Sequence, residues 1–228
     1  MTVDALAAAW ATLPAAWRAV LPGWTESAGA TLVESIHKVS GDRPIGPADP
    51  FRAMRLVPPD SVRVVVFGQD PYPGPGHADG LAFSAPTSTR PSLRRIFDVL
   101  EADRPGWQRP ASGRLDGWAR QGVLMLNPVL TVELGRSQSH AGAGWQALTA
   151  QIVQYLVALP KQPFFLLWGR HAQTFFDEAV GDNTLCCRVL RTRHPSHDFD
   201  RRFMAEGSHF LATADCVDWW ASPPLAQN

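Results

Sequence analysis

Asp70 stands where an α/β chain places its reactive groups. It follows a short apolar, β-branched run over residues 62–67, which reads as a buried parallel strand. The run ends in Gly68-Gln69-Asp70-Pro71-Tyr72, a polar loop stiffened by Pro71, Pro73 and Pro75. Open α/β sheets bind ligands beyond the carboxyl ends of their strands. A carboxylate there can stabilise positive charge, or orient and deprotonate water. Asn127 closes a second apolar run, where a buried carboxamide needs partners and presents both a donor and an acceptor. His194 follows the expected strand at 188–193, and a neutral imidazole can donate a hydrogen bond if its surroundings keep it unprotonated. Each type also has an ordinary structural use. Asp70 can be a solvated turn residue, Asn127 can open a turn before Pro128, and His194 can cap a strand end.

The elements that must position these groups alternate along the chain. Residues 4–20 and 28–39 read as helices, the first ended by Pro22-Gly23, the second by Gly41 and Pro44. A proline-rich stretch, 44–59, leads into the strand at 62–67. Helices are expected around 92–102, 145–159 and 172–180, with strands at 123–126, 164–168 and 188–193. A closing helix is expected near 205–220. Strands alternating with helices predict a three-layer α/β/α fold around a mainly parallel four-stranded sheet. The 228 residues suit one domain, 1–228, with a helical N-terminal part over about 1–58.

Composition narrows the function. Twenty-one basic residues balance 21 acidic ones, so a nucleic-acid partner must be recognised by local charge. Arg188, Arg191, Arg193, Arg201 and Arg202 flank His194, opposed by Asp198 and Asp200; Arg90, Arg94 and Arg95 form a second group. Three cysteines, with Cys186 and Cys187 adjacent, point to a reduced, cytoplasmic setting and too few thiolates for an iron–sulfur cluster. No His/Cys spacing suggests zinc, so neither metal nor cofactor is expected. No run has membrane-spanning length, and no secretory signal is expected.

Five ordered motifs resemble the uracil-DNA glycosylase family, specifically its first branch. They are Gly68 to Tyr72 with Gly80-Leu81-Ala82-Phe83-Ser84; Gly122 to Asn127 with Val129 to Val132; Ser139-His140 with Gly144-Trp145; Leu166-Leu167-Trp168-Gly169 with Ala172-Gln173; and His194-Pro195-Ser196. The resemblance spans roughly residues 60–215. It implies a monomeric hydrolase that removes uracil flipped out of single- or double-stranded DNA in base-excision repair. It makes Asp70 the water-positioning acid and His194 the donor to uracil O2. Gln69 lines the pocket wall, Tyr72 blocks a C5 methyl, Phe83 stacks on the base, and Asn127 reads O4 and N3–H. Ser92, Gly169, Arg170 and Ser196 are then candidates for the flanking phosphates.

Two departures from the family pattern stand out. Pro73 replaces the usual histidine after the tyrosine, as in the poxvirus branch, where Pro-Tyr-Pro also occurs. The wedge leucine after His-Pro-Ser is replaced, in register, by Asp198, which phosphates should repel; Phe199 is the apolar candidate one residue on. If register alone decides, Asp198→Leu should raise activity on duplexes. These departures keep open a DNA-binding or processivity module without turnover, and a glycosylase for another base is a further alternative.

Overall fold

The alanine-rich start of the chain folds as two helices instead of the one expected over residues 4–20. In the computed structural model, which describes residues 1–181, 187–196 and 198–221, α1 covers Val3–Ala11 and α2 covers Ala15–Arg18. Pro14 lies between them; it lacks an N–H, and its ring disfavours helical geometry in the residue before it. Helix α3 (Glu26–Ser40) starts at Thr25, whose Oγ1 accepts from the Ala28 N–H at 3.1 Å, and ends at Gly41, φ 55°. The stretch read as a connector holds a two-residue strand, β1 (Ile45–Gly46), and a short helix, α4 (Arg52–Leu56).

The first apolar run forms strand β2 (Val64–Phe67). Helices α5 (Pro91–Asp103) and α6 (Asp116–Ala119) lead to strand β3 (Val123–Leu126), and β4 (Val132–Glu133) pairs antiparallel with β1. Helix α7 (Trp145–Val157), strand β5 (Phe164–Trp168), helix α8 (Arg170–Val180) and strand β6 (Val189–Thr192) complete the alternation. The main sheet has the order β3-β2-β5-β6, every pair parallel. Helices cover both faces, as the three-layer expectation required. That is why β2 and β3 are apolar at every position and wholly buried, without an alternating pattern. From β2 the chain goes to β3 on one side and later to β5 on the other. Such a reversal opens a crevice above the strand ends. Gly68, Asn127 and Gly169 directly follow β2, β3 and β5, and His194 lies two residues past β6.

The closing segment departs from expectation. Only α9 (His209–Ala212) is helical where 205–220 was expected. Gly207, at φ 139°, breaks the backbone ahead of it. Phe210 is buried from this single helical turn, and Phe203, Val217 and Trp219 are buried from the turns around it. Tertiary packing of large side chains here overrides helical spacing. At the other end, Trp10, Trp24, Phe51 and Trp145 pack with ring centroids 5.3–6.5 Å apart. This cluster joins the N-terminal helices to α7. The β1–β4 ladder was not expected; two residues per strand carry no periodicity to read. It fastens the same N-terminal part to the loop after β4. No helix among the described residues is long and apolar enough to cross a membrane.

Candidate active site

The ends of three strands, β2, β3 and β6, the connection from β2 to α5 and the start of α5 converge on one cavity of about 120 Å³. Gln69, Asp70, Tyr72, Phe83, Ser92, Asn127 and His194 all line it, so seven of the predicted residues meet there. The volume is well below the range of about 300–1,000 Å³ common for drug-sized ligands. It suits a single small ring.

At β2, Gly68 donates its N–H to the Leu126 carbonyl at 3.1 Å. A Cβ on Gly68 would collide with Asn127 Oδ1, so only glycine lets the amide, 9% exposed, lie against this backbone. The next carbonyl, Gln69 O, accepts from the Val129 N–H at 3.3 Å, tying the ends of β2 and β3 together. Pro73 takes part through its carbonyl, which accepts from the Gly135 N–H at 2.8 Å.

Asp70 is held by residues that sequence reasoning missed. Its Oδ2 accepts from the Gln138 N–H at 2.6 Å and from the Ser137 hydroxyl at 3.2 Å. Both donors fix the orientation of the carboxyl group through one oxygen. Burial nevertheless pushes its pKa above the ordinary carboxylate value, against the opposing pull of Gln138 and Ser137. Gln138 presents its N–H from a left-handed backbone, φ 58°, a conformation that non-glycine residues adopt at a cost. A buried relay supports that loop. Trp145 Nε1 donates to Thr131 Oγ1 at 2.7 Å, and Thr131 Oγ1 lies 2.9 Å from His140 Nδ1. On the other side of the ring, His140 Nε2 lies 2.9 Å from Ser40 Oγ, whose hydroxyl donates to Glu133 at 3.0 Å. Because the Ser40 hydroxyl donates to Glu133, it accepts from His140 Nε2–H, and burial pushes the His140 pKa down to about 4. The Ser139-His140 and Gly144-Trp145 motifs thus brace the loop that holds Asp70. The polar run Ser137-Gln138-Ser139-His140 was the available signal for it.

Phe83 does not sit on a strand. Its segment is a turn, fixed where the Ala82 N–H donates to the Met125 carbonyl at 3.1 Å. Phe83 has φ 64° and is 8% exposed, its ring 5.5 Å from Trp168 and 6.0 Å from His194. A bulky residue adopts that conformation at a cost, which the surrounding packing sustains. Tyr72 is buried enough that its phenol pKa is pushed up to about 12. The Arg90 guanidinium carbon lies 5.7 Å from the Tyr72 ring centroid. Ser92 is the second residue of α5 and lines the cavity; Arg90, not Ser92, is the N-cap, and it caps without its side chain.

At the end of β6, the Ser196 N–H donates to His194 Nδ1 at 3.0 Å, with the Ser196 hydroxyl 2.7 Å from the same nitrogen. An accepting Nδ1 puts the proton of the neutral ring on Nε2. Gly169 makes room for this histidine: at φ 92°, its added Cβ would come within 2.6 Å of His194 Cβ. The neighbouring Arg170 faces a second cavity of about 260 Å³, which adjoins the first across residues 68–70 and is also lined by Gln138 and His171.

The loop after His194 corrects a sequence expectation. Asp198 does not project toward a DNA backbone; its side chain is 2% exposed and paired with Arg95. Phe199, beside it, is 90% exposed and lies outside the cavity. Cys186 and His197 lie outside the described residues. Among the described residues, no group of three His, Cys, Asp or Glu is arranged to hold a metal ion.

The comparisons with known proteins agree with this geometry. Residues 54–214 match the family model described as the uracil DNA glycosylase superfamily. A uracil-DNA glycosylase of Bordetella parapertussis is 44% identical over 196 residues, covering 84% of this chain and 76% of that protein. Another, from Ralstonia pickettii, is 42% identical over 232 residues, covering 95% and 84%. The crystal structure of mimivirus uracil-DNA glycosylase superposes with a TM-score of 0.65 at 29% identity; it matches 74% of this chain, which spans 62% of the viral one. With its strand-end carboxylate, amide and imidazole gathered at one cavity and these matches along most of its length, the chain belongs to the uracil-DNA glycosylase superfamily.

Proposed function

We propose that the cavity receives a uracil flipped out of DNA and that Asp70 and His194 divide the work of cutting its N-glycosidic bond. The observation that carries this reading is one small cavity lined by both a carboxylate and an imidazole whose proton is on Nε2. Breaking the bond leaves positive charge on the sugar and negative charge on the base. Asp70 stabilises the first and aligns a water; His194 donates to uracil O2 as the second grows. The water oxygen bonds to the anomeric carbon, the glycosidic electron pair leaves with uracil N1, and the water's proton is released. A uracil ring and an abasic site are the products.

Selection rests on two side chains. Tyr72 fills the space beside C5 and rejects thymine by its methyl group. Asn127 donates to O4 and accepts from N3–H, a pattern cytosine reverses. Ser92, Ser196, Gly169 and Arg170 surround the entrance and grip phosphates of the flipped nucleotide. Phe199 is the wedge, and single-stranded and duplex DNA are both substrates.

The test of the pocket is Tyr72→Ala on oligonucleotides carrying uracil or thymine. The variant is expected to release thymine, which the unmodified protein leaves in place. A variant that stays active yet releases uracil alone would show that Tyr72 does not exclude the methyl.

A further inference from the structure

An aspartate at the wedge position has a role inside the protein. Asp198 Oδ2 accepts from Arg95 Nε at 2.7 Å. Its other oxygen accepts from the backbone N–H groups of Arg202, at 2.8 Å, and Phe203, at 2.9 Å. One carboxylate thereby closes the turn that carries Phe199 and ties it to α5. The turn is closed again where the Arg201 N–H, in a residue at φ 52°, donates to the Asp198 carbonyl at 3.1 Å. Behind it, Phe203 is buried with its ring 5.5 Å from Trp168, and the Met204 N–H donates to Thr192 Oγ1 at 2.9 Å. Arg95 is itself 16% exposed and lies three residues after Ser92, so both occupy one face of α5.

The partition of this segment is sharp. The charge is 2% exposed and the large apolar ring beside it is 90% exposed. Burying an ion pair costs desolvation, and an exposed phenylalanine forgoes the stabilisation of burial. Both choices make sense if the turn is held rigid so that the ring meets something outside the protein. We propose that the Arg95–Asp198 clasp is a positioning device that presents Phe199 to the base stack and couples the wedge loop to the helix carrying Ser92. This rests on the reading of Phe199 as the wedge. A turn ordered in advance spends less binding energy on ordering itself while the DNA is being unstacked. It also reverses the expectation from register: Asp198→Leu removes the clasp, leaving Arg95 only its 4.0 Å contact with Asp98, and lowers duplex activity.

The experiment measures single-turnover uracil release from a U·A duplex and from the same strand alone, with 2-aminopurine beside the uracil to report unstacking. The variants are Phe199→Ala, Arg95→Met, Arg95→Lys and the Phe199→Ala/Arg95→Met pair. Arg95→Met is expected to slow the duplex reaction and its fluorescence rise about tenfold, corresponding to a modest part of an unstacking cost of a few kcal/mol, with single-strand release little changed. Arg95→Lys recovers part of the loss. Adding Arg95→Met to Phe199→Ala costs nothing further on duplex, since the clasp acts through the ring. Equal loss on both substrates would overturn the proposal, because the clasp would then serve only the loop of His194. If Phe199→Ala is selectively slow on duplex while Arg95→Met is not, the wedge stands and the clasp fails. If Phe199→Ala slows duplex no more than single strands, the wedge reading falls and takes the clasp with it. Asp198→Asn, which keeps the shape and removes the charge, replaces Arg95→Met in the same comparison should that variant not fold.

Discussion

Asp70→Asn leaves DNA binding in place and slows uracil release by about 10²–10³, the scale of losing one preorganised electrostatic group. Asparagine keeps the shape and an oxygen that can accept from Gln138 and Ser137. What it removes is the negative charge that faces the sugar. The pH dependence supplies an internal control. Burial raises the Asp70 pKa, so the acid limb of the rate profile lies above the ordinary carboxylate range, and it disappears in the variant. The sign of the stability effect is opposite to that of the rate. A carboxyl whose folded pKa is raised loses stability for the protein as pH climbs from its unfolded to its folded pKa, and the deficit persists above that. Removing the charge therefore leaves the melting temperature at neutral pH unchanged or higher. Binding by fluorescence anisotropy, release by single-turnover assay and melting by calorimetry check the three parts. Turnover near that of the unmodified protein would take Asp70 out of the catalytic role.

Asn127→Asp exchanges the base that is accepted. The unmodified amide discriminates against cytosine by about 10⁴, the scale at which a site built to hydrogen-bond one pattern rejects its reverse. An ionised carboxyl in its place only accepts, so it loses the donation to uracil O4. In its protonated form the new carboxyl donates to cytosine N3 and accepts from its N4 amino group. Uracil release falls, and cytosine release becomes measurable, rising as pH is lowered. Asn127 lies too close to the backbone to shift aside, because its amide packs where a Gly68 side chain would otherwise be. Paired oligonucleotides with a single uracil or cytosine, assayed across pH, give both rates. An active variant that still releases only uracil would mean that the amide does not read the base edge.

Which parts of this site could be read from the sequence follows from the range of the interactions. Asp70 and Asn127 are legible because each follows a fully apolar run of a parallel sheet, and such runs announce themselves locally; His194 follows an arginine-rich strand and is legible through His194-Pro195-Ser196. The four expected strands of the main sheet agree with the structure within a residue or two at each end. Ser137 and Gln138 were not placed on Asp70, because that contact spans 67 or 68 residues and depends on a left-handed backbone at a glutamine. The sequence places Asp198 in the wedge register as a charge that phosphates repel; its partner lies 103 residues away on another element. The left-handed backbone at Phe83 is not legible in the sequence, because the residue type gives no signal of it. Pro14 did signal a break within residues 4–20, but the alanine-rich composition around it argued for a continuous helix.

The central claim is base release itself, and one measurement addresses it most directly. The protein is incubated with otherwise identical oligonucleotides carrying one uracil, thymine or cytosine, single-stranded and in duplex, and the products are examined for free base and for alkali-labile abasic sites. Free uracil and a matching number of abasic sites are expected from both uracil substrates, and neither product from thymine or cytosine. Binding to uracil-containing DNA with no free base and no abasic site, under conditions where the protein is folded, would contradict the claim.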